Sequence, residues 1–160
     1  VKQLHLSGAN DLIEEVAPVK NSSLLLVKPQ YGLWTSTWDE AGKTSDWVDW
    51  CVDASFGTPY EQQWFLLNVK PDARIYQIDN SHDLRNLFKS YRRQFTGPMA
   101  ALNTLGYLDY EQISQDFDAI HLTAQGQQHA RFGADNLYGW DCESTIWFRW
   151  CFTSVEKIER

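Results

Sequence analysis

The chain has 160 residues, 43% of them hydrophobic, and a formal net charge of −7. That length carries one domain with a real core and is too short for two ordinary ones, so a single domain over residues 1–160 is expected. No apolar run is long enough to span a bilayer, so no membrane partner is expected, and the acidic balance argues against a protein that coats nucleic acid through a basic surface.

Lys2 to Leu6 reads as a short strand with His5 inside it, too short an apolar stretch for a secretory signal. The start at Val1 rather than Met leads us to expect a trimmed chain. Ser7-Gly8-Ala9-Asn10-Asp11 turns into a brief helix over Leu12 to Val16, ended by Pro18. Leu24 to Val27 reads as a second strand, Pro29-Gln30-Tyr31-Gly32 as a turn, and Leu33 to Thr37 as another strand. Ser45 is placed to cap a helix with acids in its first turn. Trp47 and Trp50, three apart, share one face of that helix beside Cys51. The plain reading of such a face is packing against the core.

Gln63 to Val69 and Arg74 to Ile78 read as strands joined by a turn over Lys70-Pro71-Asp72-Ala73. Asn80 or Ser81 caps the next helix, which carries Leu84, Leu87, Phe88 and Tyr91 at helical spacing. Arg85, Lys89, Arg92 and Arg93 read as its solvated face. Gly97-Pro98 breaks the pattern. A short helix over Met99 to Leu105, a helical segment over Tyr110 to Phe117 and a strand over Ala119 to Thr123 follow. Ala124 to Tyr138 reads as a polar loop, longer than most connections.

From Ser144 to Trp150 the chain is dense in β-branched and aromatic residues, as in a strand buried on both faces. Asp141 and Glu143 stand at its N-terminal edge. In an extended chain residues two apart point the same way, so both acids would face one direction at the mouth of an apolar strand. That suits acid–base or cation-stabilising chemistry. Short helices early and strands throughout predict an α+β fold.

Eight Trp, seven Tyr and eight Phe are the compositional anomaly. Most must serve the core, and the remainder suit a pocket for a flat ligand. Three cysteines (Cys51, Cys142, Cys151) without paired spacing fit free thiols in a reducing compartment, hence a cytoplasmic location, better than a disulfide framework or a zinc site. The four histidines lack metal-ligand spacing, and no metal is expected.

Three segments, in order, resemble the ADP-ribosyltransferase superfamily, in particular its diphtheria-toxin-like branch and small bacterial or phage enzymes. Leu4-His5-Leu6 followed by Ser7-Gly8 is similar to that family's strand histidine and small residue. Gly32-Leu33-Trp34-Thr35-Ser36-Thr37 followed by Trp47 and Trp50 resembles its aromatic–Ser–Thr strand and trailing helix with a stacking ring. Asp141-Cys142-Glu143 looks like its catalytic-glutamate motif. Ala73 to Ile78 leading into Asp83-Leu84 also looks like a strand and helix of that fold. Two departures stand out: Trp47 occupies the place of the branch's usual Tyr, and Asp141 stands where relatives often have Glu, Gln or another residue.

The resemblance implies a mixed, mostly antiparallel split β-sandwich with short flanking helices around an NAD cleft. It implies an NAD-dependent mono-ADP-ribosyltransferase, with NAD as substrate and a macromolecular acceptor approached through the loop 124–140. A protein side chain is the first expectation for that acceptor and a nucleic-acid base the second. Glu143 and Asp141 would be catalytic; His5, Ser7, Gly8, Trp34, Thr35, Ser36, Trp47 and Trp50 would bind NAD.

Breaking the bond from ribose C1′ to the charged nicotinamide passes through an oxocarbenium-like transition state, which a carboxylate beside the ribose stabilises. Glu143 is the candidate, oriented by Ser36 if their strands are neighbours, with Asp141 as general base and Trp47 stacked on nicotinamide. His5 would hydrogen-bond the ribose or amide. No glycine-rich phosphate loop is present. In the loop, Arg131, Phe132 and Tyr138 are the residues best suited to grip a partner. The rival readings are an aromatic-rich binding module for sugars or bases, an inactive interaction domain of the same fold, and a glycoside hydrolase using Asp141 and Glu143. Catalytic pairs of the last kind usually come from different segments.

Overall fold

The computed structural model describes residues 1–22 and 27–159. Among them are seven strands, β1 Lys2–Ser7, β2 Leu33–Thr37, β3 Gln63–Val69, β4 Ile75–Ile78, β5 Ala119–Leu122, β6 Ser144–Trp147 and β7 Phe152–Ile158. Four α-helices accompany them: α1 Asp46–Asp53, α2 Ser81–Tyr91, α3 Tyr110–Asp116 and α4 Ala124–Ala130. The fold is α+β, and its sheet runs β4-β5-β6-β2-β1-β3-β7 with only the β4–β5 pairing parallel among the strand pairs described. No helix among the described residues is long and apolar enough to cross a membrane.

The sheet has a narrow waist. β1 pairs with β3 over six residues, but with β2 only at Gln3↔Thr37 and Leu4↔Ser36. Beyond that point the two strands part, and the His5 ring reaches the Trp34 carbonyl at 2.9 Å. The waist is braced by side chains: the Thr35 hydroxyl donates to Gln3 Oε1 at 2.7 Å and Gln3 Nε2 donates to Thr37 Oγ1 at 3.1 Å.

On one face of β4, β5 and β6, the helices α2 and α3 bury Leu84, Leu87, Phe88 and Ile113 against Ile78, Ile120, Leu122 and Ile146. Period-two alternation sends Ala119 and Trp147 to the opposite face, with Phe65, Leu67 and Phe152. α1 packs Val48 against Leu4, Trp64 and Leu66. Its cap is Ser45, whose side chain accepts from the Val48 amide, and Asn80 caps α2 in the same manner.

Several elements depart from the sequence reading. Leu12 to Val16 forms no helix: the segment is short, Ile13 is 76% exposed, and no buried stripe rewards a helical turn. The expected strand from Leu24 lies outside the described residues over 24–26, and Val27 is in a turn. The expected loop from Ala124 begins instead with α4, capped by the Thr123 side chain, so only residues 131–143 are irregular. Gly126 allows that helix to lie close, since a Cβ there would sit 2.0 Å from the Ile78 carbonyl oxygen. The strands on either side of the turn at 70–73 are not neighbours: β3 and β4 stand in opposite halves of the sheet. β7 follows β6 as an additional strand, its exposed positions filled by Thr153, Ser154, Glu156 and Lys157. Arg85 and Lys89 are exposed as expected of a solvated face, whereas Arg92 pairs with Asp135 at 2.7 Å and Arg93 donates to the Ser22 carbonyl.

Candidate functional site

Where β1 and β2 part, a cleft of about 360 Å³ opens, within the range of small-molecule sites. β1 contributes Leu4, His5 and Leu6 to its wall; β2 contributes Trp34, Thr35 and Ser36. Trp47 closes one side from α1, and Gly139, Trp140, Asp141 and Cys142 close another from the segment before β6. Because the strands diverge here, residues of both sheet faces reach one space.

Glu143 lies one layer behind that wall. It stands next to Cys142 and Ser144, both of which line the cleft, but its own side chain is only 8% exposed. Its carboxylate takes four donors. The Ser36 hydroxyl donates to Oε2 at 2.8 Å, the Thr37 amide to Oε2 at 2.9 Å, the Thr37 hydroxyl to Oε1 at 2.7 Å and His121 Nε2 to Oε1 at 2.8 Å. Burial alone would raise its pKa, but the bonds from His121, Thr37 and Ser36 together hold it below the ordinary value of 4.5. The site therefore contains a fixed, buried negative charge. The pairing of β2 with β6 (Thr35↔Thr145) creates this cage, and the β5–β6 pairing (His121↔Thr145) supplies its histidine.

Ser36 links the cage to the helix. Its hydroxyl oxygen accepts from the Trp47 amide at 3.2 Å while its proton goes to Glu143, so the first turn of α1 and the carboxylate share one oxygen. Trp47 stacks on Trp50 at 5.4 Å with an 18° interplanar angle. Neither ring belongs to the core, because α1 buries Val48 and Cys51 instead.

His5 Nδ1 must carry a proton to donate to the Trp34 carbonyl, which leaves Nε2 as an acceptor. Burial pulls its pKa below 6.5 despite that hydrogen bond, so the ring is neutral at pH 7. Cys142 is no nucleophile. Burial first, then the charges of Glu143 and Asp46, push its thiol up to about 12.

The expected face shared by Asp141 and Glu143 does not form. The strand begins only at Ser144, residues 142 and 143 are bends, and strand alternation does not apply to them. Asp141 lines the cleft while Glu143 sits behind it. The charge of Glu143 is felt at Asp46, whose pKa partial burial first, then Glu143, Asp49 and Asp39, raise above 3.8.

Of the residues expected at the site, His5, Trp34, Thr35, Ser36, Trp47 and Asp141 share the cleft, with Glu143 bonded to Ser36. Ser7, Gly8 and Trp50 are not on its wall. The Ser7 hydroxyl instead accepts from the Ala9 amide. His121, Thr37 and Lys28 were not singled out from sequence. The available signal for His121 was a polar residue flanked by Ile120 and Leu122 in an apolar strand. Lys28 lines the cleft with its ammonium 5.5 Å from the Trp34 ring. The loop residues Phe132 and Tyr138 are 76% and 59% exposed, with the Arg131 guanidinium 5.9 Å from each ring. No protein-family model matches the chain, and no curated protein or solved structure matches it.

Proposed function

We propose that the chain is an NAD-dependent mono-ADP-ribosyltransferase with the split-sandwich fold of that superfamily. Its acceptor is macromolecular, a protein side chain before a nucleic-acid base. The observation that carries this reading is the 2.8 Å bond from Ser36 to Glu143 in a cleft that His5 and Trp47 also line.

The residues present suit a dinucleotide. Trp34 and Trp47 offer flat rings to a planar base, Lys28 offers a cation to a pyrophosphate, and His5 Nε2 offers an acceptor to a hydroxyl or amide. When bound, NAD supplies a glycosidic bond whose cleavage puts positive charge on the ribose. Glu143, held ionised by its cage of donors, stabilises that charge once the Ser36 hydroxyl gives way. Ser36 is the donor on the cleft side. Turning its hydroxyl away frees Oε2 for a ribose hydroxyl, while Thr37 and His121 keep the carboxylate in place. Asp141, on the cleft wall, receives the proton of the attacking acceptor. Trp47 covers the nicotinamide, held in its orientation by Trp50.

One observation favours a second reading. All four acceptor positions of Glu143 are filled by the chain's own donors, as in a carboxylate that only braces strands. The cleft would then be an aromatic binding site without chemistry.

Incubation with labelled NAD and a cell lysate separates the two. The transferase reading expects label on a discrete target, reduced by about a hundredfold or more in Glu143→Gln. Nicotinamide release that is equal in both proteins, or absent from both while NAD quenches tryptophan fluorescence, removes Glu143 from the chemistry.

A further inference from the structure

Helix α1 carries a surface that neither the core nor the cleft explains. Its core contacts are made by Val48 and Cys51. Trp50 is half-buried and does not line the cleft, and Phe56, 54% exposed, packs against both tryptophans at ring separations of 6.0 and 5.3 Å. Together they form a partly exposed three-ring patch beside the cleft mouth, where Trp47 belongs to both.

This patch is set in negative charge. Asp46 lies four residues before Trp50 and Asp53 three after it, which places both next to its ring on the helix surface. Asp49 is adjacent. All three acids are exposed, and α1 has no basic residue. Asp46 has no hydrogen-bond partner among the described residues, and its charge is crowded by Glu143, Asp49 and Asp39. From Pro29 to Val69 the sequence holds six acids and one basic residue, Lys43, which is already paired with Glu40 at 2.6 Å.

Asp53 sharpens the point. It ends the helix, where the backbone dipole disfavours a carboxylate and favours a lysine or arginine. Acids at three and four residue spacing also repel one another along the helix. A sequence that breaks local rules twice on one exposed face is answering something outside the helix. Half-buried tryptophan and exposed phenylalanine rings beside carboxylates that have no ion-pair partner among the described residues (Asp49 accepts only from the Thr44 hydroxyl, at 2.8 Å) are what a guanidinium or ammonium group selects, through its attraction to the ring faces and to the acids at once.

We infer that the outer face of α1 docks a cationic segment of a partner protein, with an Arg or Lys side chain on Trp50 and Phe56 among Asp46, Asp49 and Asp53. The surface is defined without reference to NAD. That it presents the acceptor of the transfer reaction rests on the transferase reading. On that reading, Trp50 sets the docked cation beside Trp47, the ring that covers nicotinamide, and the same acids disfavour a nucleic-acid acceptor.

The test is fluorescence anisotropy of the full chain with three labelled probes: a short peptide of alternating Arg and Gly, its Glu-Gly counterpart, and a single-stranded oligonucleotide. The Arg peptide should bind in preference to both others, and more weakly as salt rises. Asp53→Lys and Phe56→Ala should each weaken it by about tenfold. Asp53→Lys improves the charge at the helix end, so loss of folding does not confound the result. Equal binding of peptides of either sign, preference for the oligonucleotide, or undiminished affinity in both variants overturns the inference. Nicotinamide release from NAD, measured in parallel with cell lysate and without peptide, separates the two claims. Release without Arg-peptide binding sinks this surface alone, whereas the expected binding pattern without release keeps the surface and sinks the transferase.

Discussion

His121 Nε2 stands 2.8 Å from Glu143 Oε1, reaching from β5 to a residue just outside the adjoining β6. Since the carboxylate is ionised, the nitrogen is the donor; it shares Oε1 with the Thr37 hydroxyl, while the Ser36 hydroxyl and the Thr37 amide hold Oε2. Replacing His121 with Ala strips one donor from a buried charge. We expect about 1–3 kcal/mol of lost stability in urea unfolding and a rise in the Glu143 pKa. His121→Gln, which keeps an N–H donor, should recover most of both. If Ala and Gln variants unfold alike and carry the same acid limb in nicotinamide release, the histidine is not positioning the carboxylate.

Acid should weaken the fold in two stages. His5 has a folded pKa below 6.5, so from that pH downward the unfolded chain takes up a proton that the folded chain refuses. Stability falls until the folded value is passed. Glu143, also depressed, contributes stability above 4.5 that disappears as pH drops through its folded value. Urea midpoints measured against pH should therefore decline below 6.5 and again below 4.5. His5→Gln should flatten the upper decline and Glu143→Gln the lower one; curves parallel to wild type would contradict the assignment.

Gly126→Ala sets two effects against each other. Alanine in a helix gains about 1 kcal/mol over glycine. Here the new Cβ would press on the Ile78 backbone, and overpacking of that kind costs about 1–3 kcal/mol or more. The clash wins, since backbone cannot turn aside as a side chain can. Thermal unfolding should show a lower Tm, and a higher one would mean that α4 stands further from β4 than described.

Thr145 gives the opposite sign. Its buried hydroxyl has no hydrogen-bond partner among the described residues. Thr145→Val keeps the β-branched shape and removes the desolvated oxygen, so stability should hold or rise by about 1 kcal/mol. A clear loss in denaturant titration would show that the hydroxyl is satisfied after all.

What the sequence disclosed is what local patterns encode. The strand of Leu33 to Thr37 after its Pro-Gly turn, the Ser45 cap and the apolar stripe of α2 each carry their own signal and form as read, and of Asn80 and Ser81 it is Asn80 that caps α2. α4 escaped because Ala124 to Ala130 has Thr123 as its cap but no apolar stripe, and its place is set by close approach to Ile78. Leu12 to Val16 failed for the converse reason, a short periodic pattern of which Leu12 packs on the core while Ile13 faces solvent. The bond of Ser36 to Glu143 was foreseeable once their strands were taken as neighbours. His121 was not, because its role depends on which strand flanks β6, a fact of topology rather than of spacing.

The two residue pairs that join β1 to β2 make the narrowest seam in the sheet, and Ser36 is a member of one of them. A scissoring of the two halves about that seam would widen the mouth and, by the same movement, drag the hydroxyl that steadies the buried anion. Grip on a guest and readiness of the charge would then be geared to that one seam. Under such a movement, whatever tightened one would tighten the other.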